Sequence, residues 1–119
     1  MSPSDTVAFF DRYQAALLDR DAAQIASMYA VPGLILFPGS SVAVTDQAQT
    51  EQFFTASFGQ YEGVTEVDHT LTITAETSHS VWADVTWSYD GPPRERFCYQ
   101  LVSSADGPQI AVLTPLDLS

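Results

Sequence analysis

The chain has 119 residues, of which 45% are apolar and 16% charged, a balance typical of one globular domain with a single hydrophobic core. Fifteen acidic residues stand against four arginines and no lysine, so the net charge is -11. Because nucleic acids and anionic lipid surfaces are bound through clustered Lys and Arg, this charge argues against both as partners. The expected organisation is one domain over residues 1–119.

Cys98 is the only cysteine, which excludes an intramolecular disulfide and zinc sites built on paired cysteines. The sequence has no HExxH motif and no clustered histidines, so no metal and no cofactor is expected. The opening stretch "MSPSDTVAFF" lacks the basic start and apolar run of a signal peptide, and no stretch is apolar for long enough to span a bilayer. A cytoplasmic location is the expectation.

Two helices in tandem are predicted at the start of the chain. Ser2, with Pro3 at the first helical position, is typical of a helix start, and the apolar spacing continues to about Leu18. Asp21 follows at once as the cap of a second helix over "AAQIASMYA", with Tyr29 on its apolar face. The stretch Val31-Pro32-Gly33 is expected to end that helix.

The middle of the chain predicts a hairpin followed by a third helix. "GLILFPGSSVAV" contains two β-prone runs broken at Pro38-Gly39. Asp46 caps the helix "QAQTEQFFTASFGQY", which Gly63 ends. The remaining sequence alternates apolar and polar residues between turn sequences, which indicates a four-stranded antiparallel meander. Its strands are predicted over residues 64–75, 79–90, 94–104 and 109–116.

This order of elements predicts an α+β fold in which a curved antiparallel sheet wraps around three N-terminal helices and encloses a cavity. Four stretches carry a family resemblance: "RYQAALLDRDAAQIASMYA", "FPGSS", "EQFFTASF" and "ERFCYQLVSSADGPQIAVLTPL". Their order and spacing resemble the nuclear transport factor 2-like superfamily, which includes ketosteroid isomerase and SnoaL-like cyclases. The resemblance covers almost the whole chain and implies a cystatin-like cone with a pocket.

Compared with ketosteroid isomerase, the chain resembles the catalytic pattern at one position of three. Tyr13 matches the tyrosine that stabilises the oxyanion. The isomerase base precedes a proline in the first hairpin, where this chain has Phe37, and the second acid matches Cys98. Because moving a proton next to a carbonyl needs a base as well as a donor, steroid isomerase activity is not expected.

Two further side chains are candidates for chemistry. Strand alternation points His69 toward the apolar face, where it would be the one plausible proton carrier. The alternative is a histidine at a strand end that bonds to backbone or water. Cys98 would need an adjacent base or cation, such as Arg96, to act as a nucleophile, and otherwise is a small buried hydrophobe.

Two facings remain open for the strand over 94–104. The resemblance implies that Arg96, Cys98 and Gln100 point toward the cavity. Hydrophobicity alone favours the opposite facing, with Phe97, Tyr99 and Leu101 pointing inward. An arginine in the cavity would suit a carboxylate or another anionic ligand. The resemblance also implies a homodimer through the convex side of the sheet. On that facing, the interface would include Trp82, Thr86, Phe97, Tyr99 and Leu101.

The leading functional hypothesis is binding of a small, largely apolar molecule that contains a carbonyl, with isomerase, lyase or cyclase-like turnover left open. Tyr13 would donate to the carbonyl or oxyanion, and His69 would carry the proton. The rival is a non-catalytic dimerisation or partner-binding module whose cavity is filled by its own aromatic side chains, with the Tyr13 hydroxyl bonded internally. Besides Tyr13, the expected pocket residues are Leu17, Met28, Phe37, Phe53, Val85, Trp87, Arg96, Cys98, Gln100 and Thr114.

Overall fold

In the computed structural model, helices lie against one face of a six-stranded, curved and unclosed sheet, which confirms the predicted α+β fold. The structure describes residues 1–118, so Ser119, the end of the expected domain, lies outside the described residues. The helices are α1 (Pro3–Leu18), α2 (Ala22–Ser27), α3 (Gln47–Ser57) and a short 3₁₀ helix (Phe58–Tyr61). The strands are β1 (Tyr29–Ile35), β2 (Val42–Val44), β3 (Val67–Glu76), β4 (Ser80–Tyr89), β5 (Pro93–Ser104) and β6 (Gly107–Pro115).

Side-chain caps start the two longer helices where the sequence predicts them. Ser2 Oγ accepts from the Asp5 N–H at 3.1 Å, and the Ser2 N–H donates to the Asp5 carboxylate at 3.0 Å. Asp46 and Gln49 form the same reciprocal pair at 2.9 and 3.1 Å. Each pair satisfies N–H groups that the first helical turn leaves without partners. Between residues 1 and 118, no helix is long and apolar enough to cross a membrane.

The second helix is shorter than predicted, because part of its expected length belongs to the sheet. α2 ends at Ser27, and Tyr29 is already the first residue of β1. Tyr29 lies opposite Ile110 in β6, whose N–H donates to the Met28 carbonyl oxygen at 2.8 Å. The prediction of Tyr29 on a helical face is therefore wrong: pairing with a strand distant in sequence overrides the local spacing.

The strand order across the sheet is β2-β1-β6-β5-β4-β3. The predicted hairpin β1–β2 and the meander β3–β6 are both present, and the two meet where β1 runs parallel to β6. Register shifts interrupt every strand pair except β1–β2. Such irregularities increase strand twist and bend, so the sheet curves around the helices.

The concave face of the sheet carries the core. Phe10 of α1 contacts Tyr99 of β5 with ring centroids 5.1 Å apart, and Tyr13 contacts Trp87 of β4 at 5.8 Å. Burial alternates along both strands, as a half-covered sheet requires. The inward residues of these strands are Val81, Ala83, Val85, Trp87, Phe97, Tyr99 and Leu101.

Gly33 of β1 should tolerate no side chain. A Cβ added there would lie 2.7 Å from the Ala30 carbonyl oxygen and 3.1 Å from that of Ala111, and both are backbone atoms. We expect Gly33→Ala to lower the free energy of unfolding by about 1–3 kcal/mol, measured by urea denaturation, because the strand must shift. Gly59→Ala is the control, since its added Cβ meets nothing within 4 Å. Equal stability of the two variants would contradict the close packing of β1 on β6.

Candidate functional site

A cavity of about 520 Å³ lies between the helices and the concave face of the sheet. α1, α3, the 3₁₀ helix and the β1–β2 connection contribute its walls, together with the inward side chains of β4 and β5. Ten of the 21 lining residues are aromatic. The aromatic residues are Tyr13, Phe37, Phe53, Phe54, Phe58, Tyr61, Trp87, Tyr89, Phe97 and Tyr99.

Phenylalanines from three separate elements form one wall of this cavity. Phe37, in the connection after β1, lies with its ring 5.7 Å from those of Phe53 in α3 and Phe97 in β5. Phe53 in turn contacts Phe54 edge to face at 5.3 Å. These rings contact one another edge to face or tilted and present apolar surface to the cavity.

Three of the lining residues, Tyr13, Trp87 and Tyr99, take part in buried hydrogen bonds. The hydroxyls of Tyr13 and Tyr29 share a hydrogen bond of 2.6 Å, and the Trp87 indole N–H donates to the Tyr99 hydroxyl at 3.0 Å. Burial is the main cause that raises the pKa of Tyr13, Tyr29 and Tyr99 well above 10. These phenols are therefore neutral donors, and the Tyr13 hydroxyl already has a protein partner.

A carboxylate also lines the cavity. Glu95 of β5 lines the cavity, and one of its oxygens, Oε1, accepts from the hydroxyls of Tyr61 at 2.7 Å and Tyr89 at 2.8 Å. Burial first, and the adjacent Glu95 second, raise the pKa of both phenols above its usual value. Both tyrosines consequently stay protonated and hold the carboxylate in place.

Arg20, just after α1, also lines the cavity, but its donors face the backbone. Its guanidinium donates to the carbonyl oxygens of Tyr61 at 2.6 Å, Val64 at 3.1 Å and Leu18 at 2.8 Å. These bonds tie the end of α1 to the segment that follows the 3₁₀ helix. Arg20 thus stabilises the part of the cavity wall that lies between the end of α1 and the 3₁₀ helix.

The structure brings together about half of the residues expected at the site. Tyr13, Leu17, Phe37, Phe53 and Trp87 line the cavity. Val85 is fully buried in the core, and Met28 lines a second, smaller pocket of about 310 Å³ beside Arg12.

Of the two facings left open for β5, the structure shows the one that hydrophobicity favours, so four expected residues are not among the cavity-lining residues within 1–118. Phe97 and Tyr99 point inward, so Arg96, Cys98 and Gln100 lie on the outer face, where Thr114 of β6 is paired with Cys98. The physical reason is the hydrophobic effect: burying Phe97 and Tyr99 removes more apolar surface from water than burying Arg96, Cys98 and Gln100 would.

On the outer face these residues have ordinary structural partners. Arg96 pairs with Asp84 through hydrogen bonds of 2.6 and 2.9 Å. Burial, followed by the neighbouring Asp84, raises the pKa of the Cys98 thiol, which is the opposite of what a nucleophilic cysteine needs. The homodimer through the sheet stays a prediction, but Phe97, Tyr99 and Leu101 face the core and are not available to it. Trp82 and Thr86, half-buried on the outer face, are available.

His69 points inward, as alternation predicts, yet it is not among the cavity-lining residues within 1–118. Its side chain is 9% exposed, hydrogen-bonds Gln14 of α1 through Nδ1 and packs 5.0 Å from the Trp87 ring. Burial lowers its pKa, and Asp11 and Asp68 oppose this shift. The contacts of His69 are those of a residue that holds α1 on β3.

Glu95, Tyr61, Tyr89 and Arg20 line the cavity but were not predicted from the sequence. The sequence did contain a signal for Glu95. Alternate residues of a strand lie on the same face, so Glu95 points inward if Phe97 and Tyr99 do, as hydrophobicity favours. Arg20 and Tyr61 reach the site from a helix end and a 3₁₀ helix, where periodicity gives no direction.

A model of the family described as "NTF2-like protein (DUF6841)" matches residues 4–117. The chain belongs to this family. The nuclear transport factor 2-like resemblance read from the sequence is thereby confirmed. No sequence among the curated proteins matches the chain.

Solved structures with the same fold have distant sequences. A proposed calcium/calmodulin-dependent protein kinase type II association domain from Thiobacillus denitrificans is 16% identical, with a TM-score of 0.78 over 99% of this chain and 96% of that one. A proposed aromatic ring hydroxylase from Novosphingobium aromaticivorans is 16% identical, with a TM-score of 0.71 over 96% and 87%. Aln2 from a Streptomyces species is 16% identical, with a TM-score of 0.70 over 97% and 91%. At these identities the likeness establishes the fold alone.

The five tyrosines should remain protonated in the folded protein well above pH 10. Their pKa is raised in the folded state, whereas the unfolded chain loses these protons near 10. Stability is therefore kept below pH 10 and falls as the pH rises further. Ultraviolet titration of phenolate should show its absorbance appearing together with loss of the far-ultraviolet circular dichroism signal. Phenolate formation near pH 10 in a protein that keeps its native signal would contradict the assignment.

Proposed function

We propose that this protein binds a small, largely apolar molecule in the aromatic cavity between α1, α3 and the sheet. The observation that carries the proposal is a cavity of about 520 Å³ to which ten aromatic side chains contribute. Ligand sites in proteins span roughly 300–1,000 Å³ and combine apolar walls with a few polar groups. Here the polar groups include the Tyr13 and Tyr99 hydroxyls and the Glu95 carboxylate.

Tyr13 remains the proposed donor to a carbonyl oxygen of the ligand. In its 2.6 Å bond with Tyr29, one hydroxyl donates to the other, so the pair keeps one hydrogen for a further acceptor. When Tyr29 donates, the Tyr13 hydrogen is the one left for the ligand. Turnover of isomerase, lyase or cyclase type would also need a base, and Glu95 lies in the cavity whereas His69 packs outside it.

The alternative, a partner-binding module with a filled cavity, is favoured by one observation. The Tyr13 hydroxyl is bonded internally, as that alternative requires. The volume of the cavity weighs against it, because the phenylalanines of the lining surround the space rather than occupy it. Ligand binding is therefore the better supported function.

Blocking the cavity should abolish ligand binding. Ala56 is an exposed residue of α3 that lines the cavity, so Ala56→Trp places an indole at its opening. We expect naphthylmethanol to bind the wild-type protein in isothermal titration calorimetry and to raise its melting temperature. At about 100 times the dissociation constant the stabilisation is about 2.7 kcal/mol. Ala56→Trp should lose both effects.

Ala48→Trp is the matched control, because Ala48 is an exposed residue of the same helix that does not line the cavity. It should bind naphthylmethanol as the wild type does. Binding that survives in Ala56→Trp, or a wild-type protein that binds no flat apolar probe at all, would argue against the cavity as a ligand site and for the partner-binding alternative.

A further inference from the structure

The Glu95 carboxylate lines the cavity and forms no salt bridge within residues 1–118. The one arginine–carboxylate salt bridge within residues 1–118 joins Arg96 to Asp84, and the contact of His69 with Asp11 does not involve Glu95 either. Two neutral phenols bond its Oε1, and Oε2 has no hydrogen-bond partner among the described residues. Oε2 is therefore available to accept a hydrogen bond from a ligand. Such a bond would be favourable, because a half-buried carboxylate is stabilised by further donors.

The arginines near Glu95 are engaged elsewhere. Arg20 directs its guanidinium to three backbone carbonyl oxygens, and Arg94 donates to the Gln60 carbonyl oxygen at 3.1 Å. Neither lies within 4 Å of the Glu95 carboxylate as an ion pair. Arg20 also lines the cavity, but the described chain supplies no cation in direct contact with the Glu95 carboxylate.

The rings beside Glu95 already stabilise a cation. Tyr61 and Tyr89 contact each other at 4.8 Å, and the Arg94 guanidinium carbon lies 5.5 Å and 5.7 Å from their ring centroids. The face of a tyrosine ring is negative and attracts positive groups. Their hydroxyls, pointing at Glu95, place this ring pair next to the carboxylate.

The charge of the whole molecule acts in the same direction. A net charge of -11 raises the local concentration of cations and repels anions around the cavity opening. The arginine that would have suited an anionic ligand, Arg96, lies on the outer face and pairs with Asp84. Charge, hydrogen-bonding capacity and ring geometry thus favour the same class of ligand.

We propose that the cavity takes an amphipathic organic amine, with its apolar ring system among the phenylalanines and its protonated amino group on Glu95 Oε2. This inference rests on the proposed function, since it specifies the ligand of the same cavity. It assigns Glu95 as the residue that determines specificity for the head group, with Tyr61 and Tyr89 as positioning residues that hold its carboxylate.

Three probes with one naphthalene body and different head groups separate this inference from the proposed function. They are naphthylmethylamine, naphthylmethanol and naphthoate of one ring isomer, titrated into the protein by calorimetry at neutral pH. We expect the amine to bind the wild type about tenfold tighter than the alcohol, as a charge-assisted hydrogen bond predicts, and naphthoate to bind weakest. Glu95→Gln should bring the amine to within about twofold of the alcohol.

Glu76→Gln is the charge-matched control, because it removes one exposed acid at the far end of β3 and should keep the preference for the amine. Glu95→Met, which fills a similar volume without a polar group, is measured in parallel in case Glu95→Gln does not fold. An alcohol that binds as well as the amine overturns the inference and leaves the proposed function standing. So does an amine preference that persists without Glu95. If none of the three probes binds the wild type, the proposed function fails, and the inference fails with it.

Discussion

Hydrogen bonds between aromatic side chains hold α1 on the sheet, and the position of the cavity depends on them. Tyr13 of α1 bonds Tyr29 at the start of β1, while Trp87 of β4 bonds Tyr99 of β5. The Tyr13 ring lies 5.8 Å from that of Trp87 and 6.0 Å from that of Tyr99. Polar atoms buried among rings need partners, and this arrangement provides them without water. Because α1 is fixed in this way, the side of the cavity that Tyr13, Trp87 and Tyr99 line is held in place.

The scarcity of basic residues shapes the site as much as the fold does. Each of the four arginines has a defined contact: Arg12 lies over a phenylalanine ring, Arg20 stabilises the cavity wall, Arg94 lies over two tyrosines, and Arg96 pairs with an aspartate on the outer face. The chain has no lysine, and among the described residues none of the four arginines forms a salt bridge with the cavity carboxylate, Glu95. Glu95 therefore depends on phenols for its hydrogen bonds, which makes the electrostatics of the pocket distinct from those of an anion site.

Membership of the family describes the scaffold and leaves the chemistry to the side chains. Where the resemblance to ketosteroid isomerase would place two acids, this chain has Phe37 and Cys98, and Cys98 lies on the outer face of β5. The carboxylate in its cavity is that of Glu95, at a different position of β5, and it accepts hydrogen bonds from Tyr61 and Tyr89. The same cone thus presents a different set of polar groups to its contents.

The sequence by itself determined the helix starts, the hairpin, the meander and the family, because caps, turn residues and alternation are local signals that act within a few residues. It also placed Tyr13, Phe37 and Phe53 among the residues that line the cavity. Tertiary structure alone decided that Tyr29 belongs to a strand, that His69 is covered by α1, and which face of β5 is turned inward. Alternation defines two faces of a strand but not which one is buried; that choice depends on the partner strands and helices, and here it brought Glu95 into the cavity.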